Sequence, residues 1–264
     1  MKAYQVMEKL FEYGAGGNYA NTCDTLKAGD PNVEVTKVAV SMFATIEVVK
    51  QAKKWGAQLL IVHEPTYDDH MDRHTDEKLQ CEKRAFLESS GIAIYRFHDH
   101  PHYNYPDIIG TGMMNQMALP GQIEYSKEVF DLVRVKLEKP MTAVEFARLM
   151  EQRLNIKHLR ICGTRDVPCT NISCMFGTPG GVFEELQRPE TEILLVGEAC
   201  EWALGEYARD ANDLGHTKAL IIMGHIGSER DGMVYTAQLV PEKCPGLEAK
   251  YFECGEVYTY TDSE

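Results

Sequence analysis

Four short apolar runs that each stop on an imidazole or a carboxylate constrain this chain more than any other feature. They are LLIV before His63 and Glu64, IAIYRF before His98, Asp99, His100, Pro101 and His102, ILLVG before Glu198, and LIIMG before His225, Ile226, Gly227, Ser228 and Glu229. Runs this short, rich in Ile, Leu and Val and without alternation, suit strands buried on both faces of a sheet, though periodicity alone leaves a buried helix open. In open α/β sheets, ligands bind beyond the carboxyl ends of the strands. The chain therefore places metal-type side chains where such folds place their chemistry.

The stretches between these runs read as helices and loops in alternation. A helix over 3–13 leads into a Gly/Asn/Asp-rich loop, then a strand in VTKVAVSMFA and a helix in TIEVVKQAKKWG that ends on Gly56. A polar loop, PTYDDHMDRH, precedes a helix from about Thr75 to Glu88, and DIIGTGMMNQMALPG reads as a helix stopped by Pro120 and Gly121. The pattern restarts near Tyr125 with a strand in EVFDLVRVKL. Thr142 and Glu145 form a capping box before the helix AVEFARLMEQRLN. HLRICGT and NISCMFGT follow as strands, GTPGGVFEEL as a turn into a short helix, CEWALGEYARDANDLG as a helix, and AKYFECGEVYTY as a last strand. This alternation predicts an α/β fold of two lobes, residues 1–125 and 126–264.

Composition narrows the partners. With 27 Lys and Arg against 40 Asp and Glu, the net charge of −13 repels phosphate backbones and argues against nucleic acid. No apolar stretch approaches the roughly 20 residues that cross a bilayer. The N-terminus lacks the apolar segment of a signal peptide, so the expected location is cytoplasmic, with no membrane partner. The eight cysteines show no C-x-x-C pair and are expected to be mostly reduced and buried. Cys200, between Glu198 and Glu201, is the one to watch.

Each candidate has a plainer reading beside the chemical one. His63 and Glu64 project to different sides of a strand end and could serve different ions, or could simply be solvated. Three imidazoles and a carboxylate within residues 98–102 are costly to pack without a cation or water, although a solvated loop would also accept them. His225 and Glu229 face the same way if they open a helix, as metal-binding i, i+4 pairs do. Glu229 would be favoured there by the helix dipole alone. GTPGG (177–181) could offer N–H groups to an anion, but it has neither the lysine of a P-loop nor a G-x-G-x-x-G pattern. No G-x-S-x-G elbow is present. His70, His74, His158 and His216 read as ordinary surface residues.

Together, VHE after the second of these strands, IAIYRFHDHPH after the third and MGHIGSERDGM near the C-terminus resemble the dinuclear-metal hexameric proteins of the Nif-three-like family, also labelled GTP cyclohydrolase I type 2. That family reads V-H-H, H-x-x-x-D and G-H-x-x-x-E in the three blocks. The resemblance implies two α/β lobes with a metal site in the cleft between them, two metal ions held there from both lobes, a metal ligand set of His63, Glu64, His102, His225 and Glu229, and a homohexamer built as a trimer of dimers. The third block matches outright. In the other two, Glu64 stands for the second His and His102 for the Asp, so the set keeps three imidazoles and two carboxylates. With no Asp at 102, Glu64 or Glu229 is expected to bridge.

The leading expectation is a divalent-metal-binding protein with one or two ions of Zn, Fe, Mn, Co or Ni, acting as a hydrolase on a small phosphate- or nucleotide-like substrate through a metal-activated water. His98 is the candidate proton shuttle, and Glu198 the partner that orients an imidazole. The alternative is a non-enzymatic metal-binding or scaffold protein forming a ring. An H-x-H metallophosphatase built on His98 and His100 fares worse, because that motif typically sits near the N-terminus.

Overall fold

The computed structural model describes residues 1–14, 21–67, 69–71, 76–129 and 131–261. In chain order the elements begin with α1 (Ala3–Tyr13), β1 (Leu26–Ala28), β2 (Lys37–Ser41), α2 (Ile46–Trp55), β3 (Leu59–Val62), α3 (Lys78–Ser90), β4 (Ala93–Arg96) and α4 (Asp99–Tyr103). They continue with α5 (Ile108–Met117), β5 (Gly121–Tyr125), β6 (Leu132–Met141), α6 (Ala143–Leu154), β7 (Arg160–Gly163), β8 (Cys169–Met175), α7 (Val182–Gln187) and β9 (Ile193–Val196). A single π-helical turn (Glu201–Gly205) then opens α8 (Glu206–Asp213), followed by β10 (Ala219–Ile222), α9 (His225–Lys243) and β11 (Glu248–Tyr251).

The fold is α/β, in two compact units. Unit 1 comprises Met1–Asn104 and Met233–Glu264, and unit 2 comprises Tyr105–Gly232. This differs from the expected single break at 125/126 in two ways. Met113, Met114 and Met117 of α5 pack into one core with Phe146 and Met150 of α6, and β5 pairs antiparallel with β6, so residues 105–125 join unit 2. The C-terminus instead returns to unit 1, where β11 pairs in parallel with β2.

The unit 1 sheet runs β1-β4-β3-β2-β11, parallel except for β1. Every residue of β3 and β4 is buried, as the unalternating apolar runs predict. Thr45 caps α2 by accepting the Val48 N–H at 3.1 Å, and Gly56 ends it at φ 85°, the left-handed conformation glycine adopts without strain.

The unit 2 sheet runs β5-β6-β8-β9-β10-β7, with β8, β9 and β10 parallel. Its central strands β9 and β10 are covered on both faces. Leu195 and Ile221 turn toward Phe146 and Met150 of α6, while Leu194, Val196 and Leu220 pack with Leu186 of α7 and Ala208 of α8. Burying side chains of this size contributes about 1.5–3 kcal/mol each, enough to hold short strands in one register. The Thr142–Glu145 capping box forms at the start of α6.

Several boundaries depart from expectation, each for a local reason. α3 begins at Lys78 because Glu77 caps it, accepting the Gln80 N–H; Thr75 lies outside the described residues. α5 ends at Met117 with Ala118 in the left-handed region, before Pro120 is reached. β5 was not foreseen. The stretch beginning at Cys200 starts as a π turn, and the last strand stops at Tyr251. Among the described residues, no helix is long and apolar enough to cross a membrane. All eight cysteines are free; four are buried, while Cys81 and Cys200 are exposed.

Candidate metal centre

The chemistry-bearing side chains fall into one group per unit. In unit 1, β3 ends in a sharp turn in which the N–H groups of His63 and Glu64 both donate to Met42 O, at 3.1 and 3.0 Å. Both side chains are buried. His63 Nδ1 lies 2.9 Å from Phe97 O. A carbonyl only accepts, so Nδ1 carries the proton and Nε2 presents its lone pair, 3.1 Å from His102 Nε2. Burial first, and then the His98 and His102 rings, hold the His63 imidazole well below its usual pKa. It is therefore neutral, the form a metal requires.

The loop after β4 is not a solvated segment. A buried carboxylate, Asp24, accepts the backbone N–H groups of His98 (2.6 Å), Asp99 (3.1 Å) and His100 (2.9 Å), and its Oδ2 lies 2.6 Å from His100 Nδ1. The arrangement resembles an N-cap drawn over the first turn of α4, with one side chain satisfying donors that would otherwise be orphaned. His100 then stacks on Phe11 at 4.1 Å, so it serves packing. His98 and His102 flank it and close with His63 into a cluster of three rings, with centroids 4.6–4.9 Å apart. His98 Nδ1 lies 3.1 Å from Asp99 Oδ1, and Asp99 Oδ2 accepts from Thr22 Oγ1 and the Cys23 N–H. Burial alone would raise the Asp99 pKa, but hydrogen bonds from His98, Thr22 and Cys23 outweigh it and hold the carboxylate ionised. The Cys23 thiol is pushed up to about 12, by burial first and then by Asp24 and Asp99, so it stays protonated and unreactive.

In unit 2, β10 runs into Gly224 and then His225, the first residue of α9. His225 Nε2 is 3.1 Å from Glu229 Oε2, the i, i+4 spacing of one helical face. Its Nδ1 is 3.3 Å from Glu198 Oε1, beyond the end of β9, and 3.2 Å from Thr178 Oγ1, which donates to Glu198 Oε2 at 3.1 Å. Glu229 is buried, while Glu198 is half exposed. The glycine-rich turn supports these side chains directly: the Gly177 N–H donates to Ser228 Oγ. Gly177 has φ 63°, and a Cβ there would sit 2.1 Å from Glu229 Oε1. This turn makes room for a carboxylate, a poor neighbour for the anion its sequence suggested.

Three imidazoles and one carboxylate in unit 1, and one imidazole with two carboxylates in unit 2, are mixed N/O donor sets that fit a divalent transition ion. Ring nitrogens of His63, His98 and His102 lie within 4.8 Å of one another, as do donors of Glu64, His70 and His98. Sequence reasoning missed Asp24, Thr178, Ser228 and the company His70 keeps. Asp24 meets its partners 74–76 positions away, and no local pattern signals that pairing. His158 and His216 are exposed; His74 lies outside the described residues.

Residues 2–256 match the family Duf34/NIF3 (NGG1p interacting factor 3). A Clostridium perfringens protein named GTP cyclohydrolase 1 type 2 homolog is 23% identical over 226 residues, covering 83% of this chain and 82% of its own. A hypothetical protein of Staphylococcus aureus has the same fold at a TM-score of 0.77 and 19% identity, covering 98% of this chain and 99% of its own. A Bacillus cereus protein related to NIF3 aligns at a TM-score of 0.74 and 15% identity, covering 98% and 99%. At such identities the structural likeness speaks for the fold alone.

Proposed function

The chain belongs to the Duf34/NIF3 family, and from that premise we propose a divalent-metal-dependent hydrolase with candidate ligands His63, Glu64 and His102 in unit 1, and His225 and Glu229 in unit 2. The observation that carries the reading is the His63–His102 pair, two ring nitrogens 3.1 Å apart beside a buried carboxylate at a strand end. Bound there, a divalent ion would lower the pKa of a water and polarise a phosphoryl or carbonyl oxygen.

The protein's own residues have separate tasks. Phe97 O fixes the tautomer of His63. Glu198 and Thr178 orient His225 through Nδ1, leaving Nε2 to face Glu229. His98, its Nδ1 on Asp99, is the group placed to pass a proton in the unit 1 cluster. Small phosphate- or nucleotide-like molecules are the substrate class to try, since the Clostridium perfringens relative carries a GTP cyclohydrolase name. We further propose a cytoplasmic homohexamer, which light scattering would test against the 29.8 kDa mass of one chain.

Elemental analysis of protein purified without added metal is the direct test, followed by turnover of phosphoesters and nucleotides by the loaded and chelator-stripped forms. Bound metal with loaded-form turnover supports the whole reading. Bound metal without turnover on any of them supports the ligand set and favours a metal-binding or scaffold role. Protein that binds no divalent ion overturns it.

A further inference from the structure

The sheet of unit 2 carries a cavity of about 400 Å³ that the metal reading leaves unused, a size that takes a small molecule. Its floor is one face of three neighbouring strands. Arg134 of β6 stands opposite Glu124 of β5 and Ser173 of β8, and Lys136 stands opposite Gln122 and Asn171. Residues two apart share a face, so these polar side chains form one patch, while Val133, Val135 and Ile172 turn into the core. The wall is the segment between α7 and β9, with Arg188, Glu190 and Thr191. The cavity lies where β9 begins, whereas Glu198 and His225 follow the far ends of β9 and β10.

Buried charge fixes both floor and wall. Glu185, buried, receives Arg134 through Nε and Nη2 and also takes Ser173 Oγ. Lys218, buried as well, donates to the carbonyls of Arg188 and Thr191. These bonds leave cationic donors over. Arg134 keeps Nη1. Arg188 reaches Glu185 and Glu190 only at 3.9 and 3.8 Å, beyond hydrogen-bond distance. The Lys136 ammonium is exposed and has no side-chain partner among the described residues. Three cations thus converge in one cavity of a chain whose net charge is −13.

We propose that this cavity is a second small-molecule site, separate from the metal centre, for a phosphate monoester that carries hydroxyl groups, such as a sugar phosphate. Guanidinium and ammonium donors from Arg134, Lys136 and Arg188 suit the phosphoryl oxygens. The carboxylates of Glu124 and Glu190 and the amide carbonyls of Gln122 and Asn171 are acceptors that suit hydroxyls. A cation would face three positive side chains. A bare anion would sit beside Glu124 and Glu190 with no donor to offer them.

The test uses the whole protein, stripped with a chelator so that no ion holds phosphate elsewhere, and titrated by calorimetry with methyl phosphate and with ribose 5-phosphate. Wild type should bind ribose 5-phosphate at least tenfold more tightly than methyl phosphate. Lys136→Gln and Arg188→Gln should each weaken both probes by tenfold or more, because each removes a charge-assisted bond. Glu124→Gln should tighten methyl phosphate by removing a repelling charge, and should erase the advantage of ribose 5-phosphate. All three side chains are exposed, so the variants should keep the wild-type circular dichroism. A wild type that binds neither probe, or that binds no better than Lys136→Gln and Arg188→Gln, overturns the site while the metal centre stands. Equal affinity of wild type for the two probes overturns the hydroxylated ligand.

Discussion

Each unit has a buried carboxylate held mainly by residues of other segments, Asp24 in unit 1 and Glu185 in unit 2, and the two are used differently. In unit 1, Asp24 accepts three backbone N–H groups and faces one imidazole, all from residues 98–100, so it shapes the loop that carries the histidines. In unit 2, Glu185 of α7 receives Arg134 of β6 through two parallel bonds, at 2.9 and 2.7 Å, and Ser173 Oγ of β8 at 2.7 Å, so it ties a helix to the sheet. One carboxylate organises a site and the other organises a fold. The candidate ligands differ in the same sense. The unit 1 cluster depends on a long-range polar network, whereas the spacing of His225 and Glu229 is set by the opening turn of α9.

The sharpest break of this comparison is Asp24→Ala. It would leave three backbone donors and the His100 ring without an acceptor in a dry environment, and should cost about 4 kcal/mol in urea unfolding. Metal uptake should fall with it, because the loop that presents His98 and His102 loses its shape. Retained uptake at wild-type affinity would show that the loop is organised by something else.

Glu185→Gln should come next, at about 3 kcal/mol, since Arg134 would keep its charge beside a neutral amide. Metal affinity should not change. Burial alone would raise the Glu185 pKa, but Arg134 and Ser173 together hold it below the usual carboxylate value. A depressed carboxylate stabilises the fold fully above its unfolded pKa of about 4.3, and loses that contribution as pH falls through the folded value. Acid titration should therefore show wild type losing its advantage over Glu185→Gln only below about pH 4.3. A difference that fades between pH 6 and 8 would assign it to another group.

The smallest structural effect should come from Glu198→Gln. The side chain is half exposed, so stability should shift by less than about 0.5 kcal/mol. Metal affinity should nevertheless drop by about tenfold if the carboxylate orients His225. Unchanged affinity would confine Glu198 to the surface.

Much of this architecture is readable in the residues themselves. The runs LLIV, IAIYRF, ILLVG and LIIMG hold strands, as their shortness and branched apolar residues without alternation suit a sheet covered on both faces. The Thr142–Glu145 box and the glycine after Trp55 mark helix ends through bonds made within a few residues. The pairing of His225 with Glu229 follows from helical spacing alone. Less legible were β5, whose edge position carries little apolar signal, and the extent of α4 inside the histidine-rich loop.

What the sequence determines by itself is therefore local: which segments become strands or helices, and which polar residues stand at their ends. The tertiary structure decided the rest. It sent residues 233–264 back to unit 1 through the β11–β2 pairing, made His100 a packing residue against Phe11, and drew Asp24 onto the loop 74–76 positions away. Those outcomes depend on desolvation and on finding a partner for every buried polar group. That balance is struck across the whole fold, so no window of sequence contains it.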